Sequence, residues 1–305
     1  MEPIRKLVFF CLAACALMAS AGVSAQAAQA ALTARQVAEK YDDELRHPTM
    51  SVKFKLSTCR YKVEQSQMRC VERARERVVE NVVKSYGRDM RTIGILSEPA
   101  SDRGIGMLGL EYWDKRKVND YWMYLPALNK VKRVISSKES KDSGSYFGSE
   151  FYLEDLEEPR LDEYTFKLLP EESVKVLETG KGYVANPAYV LEWTPTGAKR
   201  ETSNYARMVT WIDKERFVLL KGEYFDQDHV LRKRRNIKNL ERIDGRWTPK
   251  QVTMDNLADE RVTVMDRQAL AIGLEVADEY FSQRTLTDEV FRERYLAHFR
   301  SSWKQ

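Results

Sequence analysis

Histidine is scarce. The 305 residues hold three, His47, His229 and His298, widely spaced along the chain. None falls in an HExxH or HxH pattern, so spacing gives no support to a histidine-built metal centre or a His-based acid–base pair. A GxSxG nucleophile elbow is missing, because Gly144-Ser145-Tyr146-Phe147-Gly148 has the wrong order. There is neither a Walker A loop nor a GxGxxG turn. Net charge is small too: 50 Lys+Arg against 46 Asp+Glu give a formal +4, too mild for a nucleic-acid partner. Beyond the N-terminus no apolar run is long enough to span a bilayer. Catalysis, a cofactor and a bound metal are therefore not expected.

The N-terminus reads MEPIRKLVFFCLAACALMASAGVSAQA. Arg5 and Lys6 precede an apolar core, and small residues follow up to Ala25 and Ala27. That is the layout of a secretory signal peptide, removed as residues 1–27 to leave 28–305 as one exported domain. Two alternatives stand beside it: a retained membrane helix, and a lipobox at Leu12-Ala13-Ala14-Cys15 with Cys15 lipidated. The apolar run continues past Cys15, which favours ordinary cleavage. Losing Glu2, Arg5 and Lys6 turns +4 into +3, and Cys11 and Cys15 leave with them. The remaining pair, Cys59 and Cys70, lacks CxxC spacing and nearby histidines. In an exported chain an even pair is a disulfide.

Along the chain, Thr33 and Gln36 form a capping box that opens a helix with Val37 and Tyr41 on one face. Val52, Phe54 and Leu56 alternate with Lys53 and Lys55, as in a half-buried strand. The segment Cys70 to Tyr86 fits helix or strand equally. From Ile93 onward short strands follow one another: Ile105–Trp113, Tyr121–Leu125, Val131–Ile135, Tyr164–Leu169, Val174–Glu178, Ala188–Trp193, Ala206–Ile212, Phe217–Phe225, Val230–Ile237, Trp247–Asn256, Arg261–Met265 and Leu270–Val276. Turn residues punctuate them, the pattern of an antiparallel barrel or sandwich. Phe291, Tyr295 and Phe299 mark a C-terminal helix from near Thr287. No linker or repeat divides the chain.

The charge runs read blandly. Asp226, Asp228 and His229 look like a hairpin turn rather than a cation site. Glu154, Asp155, Glu157 and Glu158 look like a solvated face or a helix start. Arg232-Lys233-Arg234-Arg235 fits a solvated edge strand, or a docking face for anionic lipid or an acidic partner. Aromatics are plentiful: Trp113, Trp122, Tyr124, Trp193, Trp211, Phe217 and Tyr224 fall on the expected strands. They fill a core or line an apolar cavity. Phe147, Phe151 and Tyr152 follow the polar stretch SSKESKDSG, which suits either a hinged flap at a cavity mouth or a core anchor.

Three segments resemble one family, the outer-membrane lipoprotein-sorting proteins, longer relatives of the periplasmic carrier LolA. YWMYLPALNKVKRV, residues 121–134, is similar to that family's YLPAL-x-K-x-RR segment. Phe147-Gly148-Ser149-Glu150-Phe151 with Glu154-Asp155-Leu156 resembles its MGSDFsyeDL motif. DEYFSQRTL, residues 278–286, resembles its F-[ST]-x-R-x-L segment. Order and spacing fit over most of the mature chain. Three departures stand out: the greater length, Glu150 in place of Asp, and the two cysteines.

The resemblance implies a mainly β fold, an unclosed antiparallel barrel with helices as a lid over a hydrophobic cavity. It tilts the ambiguous segment after Cys70 toward strand. It also implies a periplasmic carrier of lipid or lipoprotein acyl chains, with an inner-membrane exporter or an outer-membrane acceptor as partner; a monomer is expected. Part of the wider family serves lipid exporters of the resistance-nodulation-division type. The alternative is an accessory or sensory module that docks on an envelope exporter or signalling protein through its charged runs. A hydrolase using Ser145 or Ser149 with Glu154 and Asp155 is the third possibility.

Overall fold

The computed structural model describes residues 31–304 apart from 47, 66 and 135–143. The expected leader, Cys15 within it, and the polar approach at 136–143 lie outside these. Thr33–Gln305 cluster into one compact unit. Its first element is helix α1 (Ala34–Leu45), opened by the expected capping box between Thr33 and Gln36.

Strands follow in order: β1 (Thr49–Glu64), β2 (Gln67–Cys70), β3 (Arg75–Tyr86), β4 (Asp89–Glu98), β5 (Gly106–Glu111), β6 (Asp120–Leu125) and β7 (Lys130–Val134). The chain then crosses as an irregular strap, residues 144–163. It resumes with β8 (Tyr164–Glu178), β9 (Gly182–Pro195), the short helix α2 (Gly197–Thr202), β10 (Arg207–Asp213), β11 (Leu219–Phe225), β12 (Leu231–Ile243), β13 (Arg246–Asn256) and β14 (Arg261–Ile272). Helices α3 (Gln283–Thr287) and α4 (Glu289–Ser301) end the fold.

All fourteen strands belong to one sheet. From β8 to β14 each strand pairs antiparallel with the next; β14 then pairs with β1, which leads through β3 to β7. One parallel pairing, Leu240 opposite Glu178, returns β12 to β8. Among the described residues β7 pairs only with β6, so the larger curl stays unclosed.

Alternation along the strands sorts side chains between two faces. On β1, Val52, Phe54 and Leu56 are buried while Lys53 and Lys55 are half-exposed. Strand β4 is buried on both faces, from Ile93 to Leu96. Ile93 and Ile95 pack with Val82, Leu108, Tyr280, Leu286, Leu296 and Phe299 under the C-terminal helices. Gly94 and Leu96 face the concave side, with Val52, Phe54 and Met107. α4 forms as the i, i+4, i+8 aromatics require: Phe291 and Phe299 are buried and Asp288 caps the helix.

Several strands are longer than local patterns suggested. Tyr164–Leu169 and Val174–Glu178 are one strand, carried across Pro170 by a bulge between Leu169 and Glu172. The ambiguous segment after Cys70 is strand from Arg75, its β-branched residues paired with both β1 and β4. Cys59 and Cys70 are joined, tying β1 to the exposed β2 arm.

The disulfide closes a separation of 11 residues. In the chain-entropy picture this contributes about 3 kcal/mol. A Cys59→Ser/Cys70→Ser double variant should lose about that much in urea unfolding, and added reductant should move the wild-type midpoint equally.

Candidate functional site

The strap between β7 and β8 is built from the aromatic and acidic motif. Gly148 takes φ +67°, and a Cβ there would sit 2.8 Å from Arg77 Nη1. Glycine is therefore required twice over, by conformation and by the arginine's approach. Arg77 donates from Nη1 to the Phe147 carbonyl at 2.7 Å and from Nε to Asp102 at 2.6 Å. Ser149 Oγ donates to the Tyr146 carbonyl at 2.6 Å and accepts from the Phe151 amide at 3.2 Å. Glu150 receives Arg261 at 2.7 Å and Asn256 at 2.8 Å. These bonds turn Phe147 and Phe151 into the core, where they are 4% and 0% exposed.

The acidic half is no solvated face. Glu154 accepts from the Asn204 amide at 2.8 Å and pairs with Lys199 at 3.1 Å. Burial works to raise its pKa, but Lys199 and these donors hold it below the ordinary carboxylate range. Asp155 caps the Tyr152 amide at 2.7 Å and accepts from Tyr205 at 2.7 Å. Lys233 lies 3.6 Å from it, donates to the Glu150 carbonyl at 2.6 Å and sits 3.0 Å above the Tyr152 ring. Burial lowers the lysine's pKa and raises that of Asp155. Arg235 Nη1 donates to the Asp155 carbonyl at 3.2 Å. The basic run is thus not on an edge strand. β12 is paired on both sides, and two of the run's four side chains clamp the strap.

Between the strap and the concave sheet lies a cavity of about 330 Å³. Cross-strand partners form its floor: Val52 opposite Asn81, Asn81 opposite Gly94, Gly94 opposite Met107. The row beside it runs Met50, Val83, Thr92. Phe54, Met265 and Leu270 extend the apolar wall. Leu153 and Leu156 of the strap form the roof, and Leu45 and Arg46 at the end of α1 close one side. Gly94 leaves room for the strap, since a Cβ would meet Tyr146 Oη at 2.8 Å and Phe147 at 3.2 Å.

One rim is acidic. Glu111, Glu157 and Glu158 line this cavity and also a neighbouring, more polar one of about 200 Å³. Tyr121 donates to Glu157 at 2.8 Å, and Arg46 is held by both Asp42 and Glu158. Burial, and then the charge of Glu157, push Glu111 up to about 8.

The aromatics expected to bind lipid do not gather in one place. Phe147 and Phe151 anchor the strap in the core, and Tyr152 stacks under Lys233. Trp122 and Tyr124 face the other side of the sheet, beneath the C-terminal helices. Trp113 and Trp193 line the smaller polar cavity; Arg88 covers the first, and Tyr41, Tyr164 and Phe166 pack around the second. Trp211 is buried with its indole N–H on Glu172, and Phe217 stacks on Tyr189 near the surface. The larger cavity is lined mainly by aliphatics and methionines. Their signal was the alternation on β1 and the methionines at 50, 90, 107 and 265. Asp226 accepts from the amides of Asp228 and Val230, a turn as expected. Among the described residues no cluster of His, Cys, Asp or Glu suits a metal ion.

The unclosed antiparallel sheet is a fold that solved structures share. A DUF1329 family protein from Desulfovibrio piger superposes with a TM-score of 0.69 at 25% identity, over 83% of this chain and 97% of that one. A domain from Vibrio parahaemolyticus, described as outer membrane lipoprotein-sorting, gives 0.68 at 23%, over 83% and 98%. A LolA superfamily protein from Nitrosomonas europaea gives 0.57 at 21%, over 83% and 98%. The fold is that of these proteins, as the motif resemblance implied. No curated protein matches the chain. A family model described as "Uncharacterized protein" matches residues 88–288, which is 201 of 305, and the chain belongs to that family.

Phe151→Ala should cost about 3–5 kcal/mol of stability, read by denaturant unfolding, as for other fully buried aromatics. Glu111 generates a pH dependence. Its folded pKa of about 8 lies above its ordinary 4.5, so the folded state holds the extra proton. Its contribution is full below 4.5 and is lost as pH rises toward 8. Urea midpoints of Glu111→Gln should fall less over that window than those of wild type.

Proposed function

We propose that this protein carries acyl chains, as lipid or lipoprotein, through the periplasm within the cavity under the strap. The observation that carries this reading is the cavity itself, about 330 Å³ with an aliphatic and methionine lining. That lies at the small end of ligand pockets, roughly 300–1,000 Å³. Each methylene moved there from water contributes ~0.8 kcal/mol, so binding needs shape and dryness rather than reactive groups. Methionines suit such a lining, because their side chains adapt to varied chains. No catalytic step is assigned.

Residues 1–27 act as the export signal, with lipidation at Cys15 as the lesser alternative. An inner-membrane exporter and an outer-membrane acceptor are the partners this reading implies. The rival reading, a docking module, rested on the acidic and basic runs as free faces. Asp155 with Lys233 and Arg235, and Glu154 with Lys199, are instead bound inside the fold, which leaves Arg232 and Arg234 as the exposed part of the basic run and weakens that reading.

Native mass spectrometry of gently purified protein should show a co-purifying acyl lipid. A clean apo protein that also ignores fluorescent fatty-acid probes would overturn the proposal. Met107→Trp should fill space for about two methylenes, ~1.6 kcal/mol, and weaken probe binding roughly tenfold.

A further inference from the structure

Arg267 stands out among the cavity's charged side chains. It lies on β14 opposite Phe54, is 6% exposed and lines the apolar cavity. Its Nη2 pairs with Glu241, while its Nε is buried without a hydrogen-bond partner. A guanidinium stays charged at any physiological pH and presents its donors in a fixed fork. A buried donor left unanswered is costly; Arg235 and Arg292 also leave an Nε without a partner, but neither lines this cavity. The other cations at the cavity differ. Arg46 is taken up by Asp42 and Glu158, and Lys250 is exposed to water.

The cavity is also polarised. Glu111, Glu157 and Glu158 crowd the side where the strap and α1 meet. Arg267 stands on the β13–β14 wall, with Lys250 of β13 on the same lining. On the first side Glu111 holds its proton and Arg46 is already taken up by two carboxylates, whereas the second side offers an anionic head a guanidinium with a free donor. Size narrows the cargo further: about 330 Å³ lies at the small end of ligand pockets, roughly 300–1,000 Å³, which suits a single chain rather than the several chains of a lipoprotein anchor held at once.

Resting on the carrier reading, we propose that the cavity's ligand is a single-chain amphiphile with an anionic oxygen head, a carboxylate or a phosphate monoester, received by Arg267. A charge-assisted, fork-shaped contact to such a head completes the unpaired Nε, and the tail lies along the Val52–Gly94–Met107 floor.

Titration calorimetry at pH 7.5 with dodecanoate, dodecyl phosphate and dodecanol, which share one chain length, tests the proposal. Wild type should bind at least one of the two anions tenfold or more tighter than the alcohol, and the tighter anion names the head. Arg267→Met should lose that preference while still binding dodecanol. Should Arg267→Met fail to fold, Glu241→Gln decides. It keeps the guanidinium and removes its competitor, so anion binding should hold or tighten. Loss of the anion preference in Glu241→Gln would make Arg267 merely one half of a structural pair and overturn the proposal. Equal binding of alcohol and both anions by wild type also overturns it, while leaving the carrier function standing. Binding of none of the three overturns both.

Discussion

An ammonium group almost without water holds the site together. The Lys233 side chain is 2% exposed and the Asp155 side chain is fully enclosed. Burial drives both toward neutrality, and their mutual attraction opposes it. What makes the arrangement tenable is the set of donors and acceptors around it: the Glu150 carbonyl, the Tyr152 ring and amide, and the Tyr205 hydroxyl. Removing one partner of such a pair leaves a buried charge uncompensated, at several kcal/mol. The strap is thus fixed as a unit, and the sheet below it can leave apolar side chains facing open space.

The sheet's two faces divide the work. One carries the C-terminal helices, which bury Ile93, Ile95 and Leu108 and stiffen the strands from behind. The other carries the strap and the cavity. Of the terminal helices, only α1 reaches the cavity, through Leu45 and Arg46. A sheet packed firmly on one side can hold a void on the other without collapsing into it, because the strands' positions are set elsewhere.

Much of the architecture was legible in the sequence. The alternation at Val52, Phe54 and Leu56, the capping box at Thr33, the aromatics of α4 and the pairing of Cys59 with Cys70 all follow from local rules, and all appear as read. The motif at 147–156 located the strap but not its purpose. Glu154 and Asp155 looked like solvent-facing charges because their partners, Lys199, Asn204, Tyr205 and Lys233, come from β12 and the α2–β10 region, distant in the chain. Trp122 and Tyr124 could not be assigned to a face, because strand register reverses with a one-residue slip. The cavity was expected, but its lining was missed for a related reason. Its lining is a set of aliphatics, one or two per strand, that become neighbours only through pairings between strands.

The larger curl of the sheet stays open: among the described residues β7 pairs along one edge alone. In a closed barrel, strand number and stagger fix the bore, so internal girth is a property of topology. Here no hydrogen-bonded ring of that kind surrounds the cavity, and its width is set by side chains on the strap and by the small residue Gly94. Capacity in this fold is therefore a matter of composition. A few substitutions along one strap can resize the container without any strand being gained or lost.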